Sequence, residues 1–207
     1  MNKQFISKLE KLNACRSSIE WLQTQDNLEQ AWKDCERGDW LLWLVARLGV
    51  DKRKLFLAKG LVAKQVIHLM DDKRSIDAVN AAIDYGNGKI SKDEFKIFTA
   101  DADDASADAD ADDASADNVA AYAAYAAYAA ANDADDDNDS AAYAAASAAD
   151  AADAYAYAAN ADDDDDAYVV NLSLTGRELL LIFSAEIVRE VFTFEEVKTT
   201  LHIKLTI

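Results

Sequence analysis

Over the first hundred residues apolar side chains return every three or four positions, and each run is bounded by residues that start or stop helices. Asp26 with Glu29, and Ser91 with Glu94, have the form of capping boxes, in which a side-chain oxygen accepts from a free amide and the glutamate reaches back. Asp39 stands where it can cap WLLWLVARL, and Gly49 where it can end that segment in a left-handed turn. Asp51 can start KRKLFLAKGLVAKQVIHLM, which sets Leu55, Ala58, Val62, Val66 and Leu69 on one face. The pattern predicts helices near 2–12, 15–24, 27–35, 39–48, 51–70, 74–85 and 91–100. Most are short and joined by brief turns, which makes a compact helical array.

Beyond residue 100 the amphipathic pattern gives way to a block, 101–166, built only from Ala, Asp, Tyr, Asn, Ser and Val. Alanine is the best helix former and interior aspartate a poor one. Asp104, Asp108 and Asp112 recur at four-residue intervals, where like charges repel by roughly 0.2–0.5 kcal/mol per pair. Residues 101–117 therefore read as a marginal helix at best. Val119–Ala131 and Ser140–Ala159 read as firm helices, and Asp133–Asp139 and Asp162–Asp166 as acidic breaks. Tyr122, Tyr125 and Tyr128 form a drifting stripe along one helix, so the block reads as Ala-rich helices laid together with Tyr in the seams and Asp outside. Repeat slippage in the gene could also produce such a block, without excluding use of its charge.

Ordinary patterning resumes in TGRELLLIFSAEIVREVF, with capping boxes at Thr175/Glu178 and Thr193/Glu196. VVNLSL (169–174) and the final LHIKLTI (201–207) alternate apolar and polar residues as strands do. The expected fold is all-α: a compact array of short helices, then longer Ala/Tyr/Asp-rich helices, with a short extended C-terminal tail. Three segments follow: 1–100, a Trp-containing array; 101–166, the low-complexity helical region; and 167–207, a C-terminal helix and tail packing back on the array. The complete absence of proline agrees with this.

Charge changes the functional picture. Of 39 acidic residues, 20 are aspartates inside 101–166, which has no Lys, Arg, Glu or His; the remaining 19 nearly balance the chain's 21 cations. The net charge of −18 is thus confined to one block. A nucleic-acid binder needs cations to meet phosphates, and none occurs from Ile97 to Gly176. An anionic block instead favours solubility and steers cationic partners. The longest apolar runs are too short to cross a bilayer, and Cys15 and Cys35 read as reduced thiols of a cytosolic protein.

Candidate chemistry is sparse. Aligning Gly88 and Glu94 with an EF-hand loop places Ile83 and Tyr85 where oxygen ligands are needed, so the segment reads as a helix end followed by a new cap. Cys15, Cys35, His68 and His202 have no metal-ligand spacing, and His68, between Ile67 and Leu69, reads as a packed residue. Aspartate runs on a helix point in different directions and read as a solvated face. No phosphate loop, nucleophile elbow or metalloprotease signature is present. Trp21, Trp32, Trp40 and Trp43 read first as core, and second as a recognition surface. Neither an enzyme nor a cofactor or metal requirement is expected.

ACRSSIEWL, LEQAWKDCERGDWLLWL and DDKRSIDAVNAAID, followed by the Ala/Tyr/Asp region and AEIVREVFTFEEV, resemble an immunity-protein family of bacterial polymorphic toxin systems, also found in phages. The resemblance spans most of the chain and rests on Cys15, Trp21, Ala31, Trp32, Cys35, Arg37, Asp39, Trp40, Trp43, Asp72 and Arg74. It implies a mainly helical fold and neutralisation of a toxin by direct contact, without catalysis. The chain differs from that pattern in its purely anionic block and its LHIKLTI end. The first expectation is therefore a toxin-neutralising immunity protein whose partner, such as a toxin or nuclease, has a basic surface. The second is a phage-type inhibitor that mimics nucleic acid with its aspartates, and the third a structural or assembly component. Partner contacts are expected at Asp39, Trp40, Trp43, Asp72, Arg74, Tyr122, Tyr125 and Tyr128, with Asp39, Trp40, Asp72 and Arg74 in one polar-aromatic cluster.

Overall fold

In the computed structural model, residues 3–111, 125–130, 141–151 and 175–206 are described, and all regular structure among them is helical. Helices α1 (Lys3–Lys11), α2 (Arg16–Gln23), α3 (Leu28–Asp34), α4 (Gly38–Leu48), α5 (Lys52–Lys64), α6 (Lys73–Gly86) and α7 (Lys92–Ala111) are followed by α8 (125–130) and α9 (141–151). Two more, α10 (Gly176–Val191) and α11 (Phe194–Thr206), complete the described chain.

Most boundaries follow the expected local chemistry. Asp51 accepts from the amides of Arg53 and Lys54, and Gly49, at φ 63°, closes α4 in the left-handed region that only glycine enters without cost. Capping boxes form at Ser91/Glu94, Thr175/Glu178 and Thr193/Glu196, with hydroxyl and carboxylate each meeting the other residue's amide. Gly88, at φ 73°, ends α6, and Ser91 restarts the chain, as the failed calcium loop predicted.

Five expectations are corrected. Asn27 rather than Asp26 caps α3, accepting from the Gln30 amide. Asp39 is not a cap: α4 already begins at Gly38, and the Asp39 carboxylate is buried in its first turn. The 51–70 helix breaks after Lys64 into a short 3-10 turn, Ile67–Leu69, on which His68 is exposed rather than packed. Helix α7 does not stop at residue 100 but runs to Ala111, because its Ala102 and Ala105 are buried, and that burial offsets the weak repulsion between aspartates a turn apart. Finally, the C-terminal segment is not extended: α11 runs from the Thr193 box through Thr206, the box supplying the helix start that the alternating tail alone does not reveal. The expected strand at 169–174 lies outside the described residues.

One apolar cluster joins the array to the Ala-rich helices and to α10 and α11. Helices α5 and α6 pack on each other through Gly60 and Gly86, and α6 packs on α7. Phe56, Tyr85 and Phe95 meet there, with ring centroids 4.9–5.5 Å apart, and the Arg53 guanidinium lies 4.6 Å from the Tyr85 ring. Helix α10 lies against both α4 and α5. Its Arg189 donates to the carbonyls of Cys35 (2.8 Å) and Trp32 (3.3 Å), satisfying acceptors at the end of α3. In the low-complexity block Ala126, Ala127, Ala130, Ala141, Ala144, Ala145, Ala148 and Ala149 are fully buried, while Tyr125 meets Tyr143 at 6.2 Å between α8 and α9. Alanines fill the buried positions of these helices, whereas Tyr143 is exposed and Tyr125 and Tyr128 are only half-buried, so these tyrosines stand at the margin of the seam rather than inside it. Asp150 of α9 pairs with Arg177 of α10, so one charge of the block is met by a cation from outside it.

Candidate functional site

Residues of six helices and a turn line one cavity of about 360 Å³ that opens to solvent. Phe5 and Leu9 of α1 line it, with Cys15, Ser18, Trp21 and Leu22 from the turn into α2 and from α2 itself. Helix α3 supplies Leu28, Ala31 and Trp32, and α4 supplies Asp39, Trp40, Trp43 and Leu44. Helix α11 contributes Phe194, Val197, Lys198 and Leu201, and Ala142 of α9 brings the low-complexity block to the lining. All four tryptophans of the chain line this space. Trp32 is buried, whereas Trp21, Trp40 and Trp43 are partly exposed, so core packing and surface presentation both apply.

Trp40 is held by a local charge pair. Arg37 makes a bidentate bond to Asp39, Nε to Oδ1 at 2.9 Å and a terminal nitrogen to Oδ2 at 2.6 Å. The same guanidinium lies 4.5 Å from the Trp40 ring centroid, over its face, and Trp21 stands at 6.0 Å on a tilt of 57°. Asp39 is thus neutralised at the site by Arg37, two residues before it.

The expected cluster does not assemble as one unit. Asp39, Trp40 and Trp43 are at the cavity, but Asp72 and Arg74 are not among the residues that line it. Asp72 caps α6, accepting from the Arg74 amide, and the Arg74 guanidinium donates back to both its oxygens at 2.6–3.1 Å. That guanidinium holds the Asp72 carboxyl below its usual range. Tyr125 and Tyr128 are half-buried on α8, and Tyr122 lies outside the described residues.

Sequence reasoning did not single out Cys15, Arg37 or Lys198 as parts of a cavity. The two thiols on its wall differ in character. Burial works against ionisation of Cys15, but hydrogen bonds from Ser17 and Ser18 outweigh it and bring the thiol below its ordinary value. Cys35 is pushed up to about 11 by burial, which a bond to the Arg37 carbonyl region and nearby cations do not offset. The thiolate is the reactive form, so N-ethylmaleimide at pH 7.5 should label Cys15 at least about tenfold faster than Cys35 in the folded chain. Mass spectrometry of digests reads this directly, and equal labelling would contradict the geometry of both thiols.

Among the described residues no group of three or more His, Cys, Asp or Glu is placed to hold a metal ion, and no helix is long and apolar enough to cross a membrane. A chelator should therefore leave the helical circular-dichroism signal unchanged; a large loss would reveal a structural ion. The chain matches no family model, no curated protein and no solved structure.

Proposed function

We propose that the chain is a non-catalytic binding protein that neutralises a basic protein partner, in the manner of an immunity protein. The observation that carries this is the separation of charge: 20 aspartates without an internal cation in 101–166, beside a nearly neutral helical array. Asp101, Asp103 and Asp104 are exposed at the start of the block. Such a one-signed field raises encounter rates with cationic surfaces and disfavours anionic ones. Apolar contact area is available in the tryptophan-lined cavity, whose wall the block itself reaches at Ala142. The resemblance to immunity proteins supplies the class of partner, a toxin, and the acidic block supplies the expectation of a basic surface on it.

The test is capture of partners on the immobilised chain at low salt, identification by mass spectrometry, and co-expression of each captured protein with the chain. A basic protein that is released by salt and whose toxicity the chain suppresses is the expected result. Capture only of further copies of the chain would favour an assembly component instead. If the captured enzyme is blocked only at its nucleic-acid site, the aspartates act as a nucleic-acid mimic.

A further inference from the structure

We propose that the tryptophan-lined cavity binds a small hydrophobic carboxylic acid, a molecule with an apolar aliphatic or aromatic body and one carboxylate at its end. An occupant takes up apolar area otherwise open to a protein partner, so this assignment goes beyond the reading above, and its test does not use that partner. Trp21, Trp40 and Trp43 are only partly buried around a space of about 360 Å³ that opens to solvent, within the range of small-molecule pockets. Leu9, Leu22, Phe194 and Leu201 extend the same apolar lining, so the body of an occupant exchanges water for carbon on several sides.

The polar groups of the lining say which end the occupant carries. Asp39 is the one carboxylate among the lining residues, and Arg37 holds both its oxygens, at 2.9 and 2.6 Å. An entering ammonium group therefore finds that carboxylate taken, and the face of Trp40 that would attract it is covered by the same guanidinium. Donors, by contrast, remain. Arg37 engages Asp39 through Nε and Nη2, and its Nη1 makes no hydrogen bond among the described residues. Lys198 has three donors and directs one to Glu195, at 3.2 Å, in a pair exposed on both sides that contributes little. The lining thus carries two cations, Arg37 and Lys198, against one anion. The chain's net charge of −18 opposes the approach of any acid. Charges more than about 8 Å away are largely screened at physiological salt, so the groups on the wall decide.

The experiment titrates the full chain with octanoate, octanamide, octylamine and acetate at physiological salt. None absorbs where indole does, and every tryptophan of the chain lines the cavity, so tryptophan emission reports binding. Octanoate should bind at least about tenfold tighter than octanamide, the gain expected when a charge-assisted hydrogen bond replaces a neutral one. Octylamine should bind more weakly than either, and acetate, which lacks the apolar body, should leave the emission unchanged. Octanoate should also slow N-ethylmaleimide labelling of Cys15, which lines the cavity. Lys198→Gln, at an exposed position, should weaken octanoate by about fivefold or more and leave octanamide unchanged, the second result showing the cavity intact. Equal binding of octanoate and octanamide, or tightest binding of octylamine, overturns the carboxylate. An emission change without protection of Cys15 puts the acid elsewhere and overturns the site. Unchanged octanoate affinity in Lys198→Gln, or no binding by any octyl compound, overturns the proposal. None of these outcomes alters the expected capture of a basic protein, which rests on the acidic block.

Discussion

Gly38→Ala should lower the melting temperature of this protein by roughly 5–10 °C, although alanine is ordinarily the better helix residue by about 1 kcal/mol. A Cβ built at Gly38 would lie 2.3 Å from the Ser184 Cβ and 2.7 Å from the Ala185 backbone nitrogen. Two helices, α4 and α10, meet at that point backbone to backbone, so relief requires moving a whole helix rather than turning a side chain. Overpacking of a well-packed interface costs about 1–3 kcal/mol, and a clash with backbone belongs at the upper end. Gly88→Ala provides the contrast. Its nearest neighbour is the flexible Arg53 guanidinium at 3.6 Å, and its φ of +73° costs an L-residue about 1–2 kcal/mol at most. Thermal unfolding followed at 222 nm ranks the two, and a Gly38→Ala protein that melts within a degree of the parent would show that α10 is not seated on α4.

Exchange of the aspartates of 101–117 and 162–166 for asparagine should slow association with the captured basic partner by about tenfold or more at low salt, and flatten its salt dependence. Thirteen of the block's 20 aspartates are changed in this variant. At physiological ionic strength each charge acts over only about 8 Å, so the block as an array, rather than any one residue, sets the rate. The fold of residues 1–100 should survive, because asparagine and aspartate have similar helix propensities and removing Asp104/Asp108 repulsion favours α7 slightly. Stopped-flow tryptophan emission at two salt concentrations measures both effects. An unchanged rate with unchanged salt dependence would reduce the block to a solubilising tail.

Helix starts were legible in the sequence wherever a side chain and an amide three residues away form a closed pair, as at Ser91, Thr175 and Thr193. Such pairs are local, so no tertiary knowledge is needed to see them. Asp39 shows the limit: an acid before an apolar run looks like a cap, but here Arg37 takes its carboxylate into a half-buried ion pair. LHIKLTI shows another: seven alternating residues fit a strand, and only the preceding box at Thr193 and the packing of Val197 and Leu201 decide for helix. The cavity was half visible. Its tryptophans and Asp39 carried the family resemblance, but Lys198 and Ala142 come from helices far along the chain that only the folded arrangement brings to the same wall. Asp72 and Arg74 belong to the same family resemblance and yet serve their own helix start.

The seat of α10 on α4 and α5 has a consequence for biosynthesis. More than a hundred residues separate Leu48 from Val191, so at ribosomal speeds of roughly 5–20 residues per second the apolar faces that α10 covers wait about 7–30 s for their partner. Among what emerges in that interval is 101–166, a stretch with 20 negative charges and no positive one. Nascent chains on neighbouring ribosomes would then repel one another during the very seconds in which their unfinished cores could stick together.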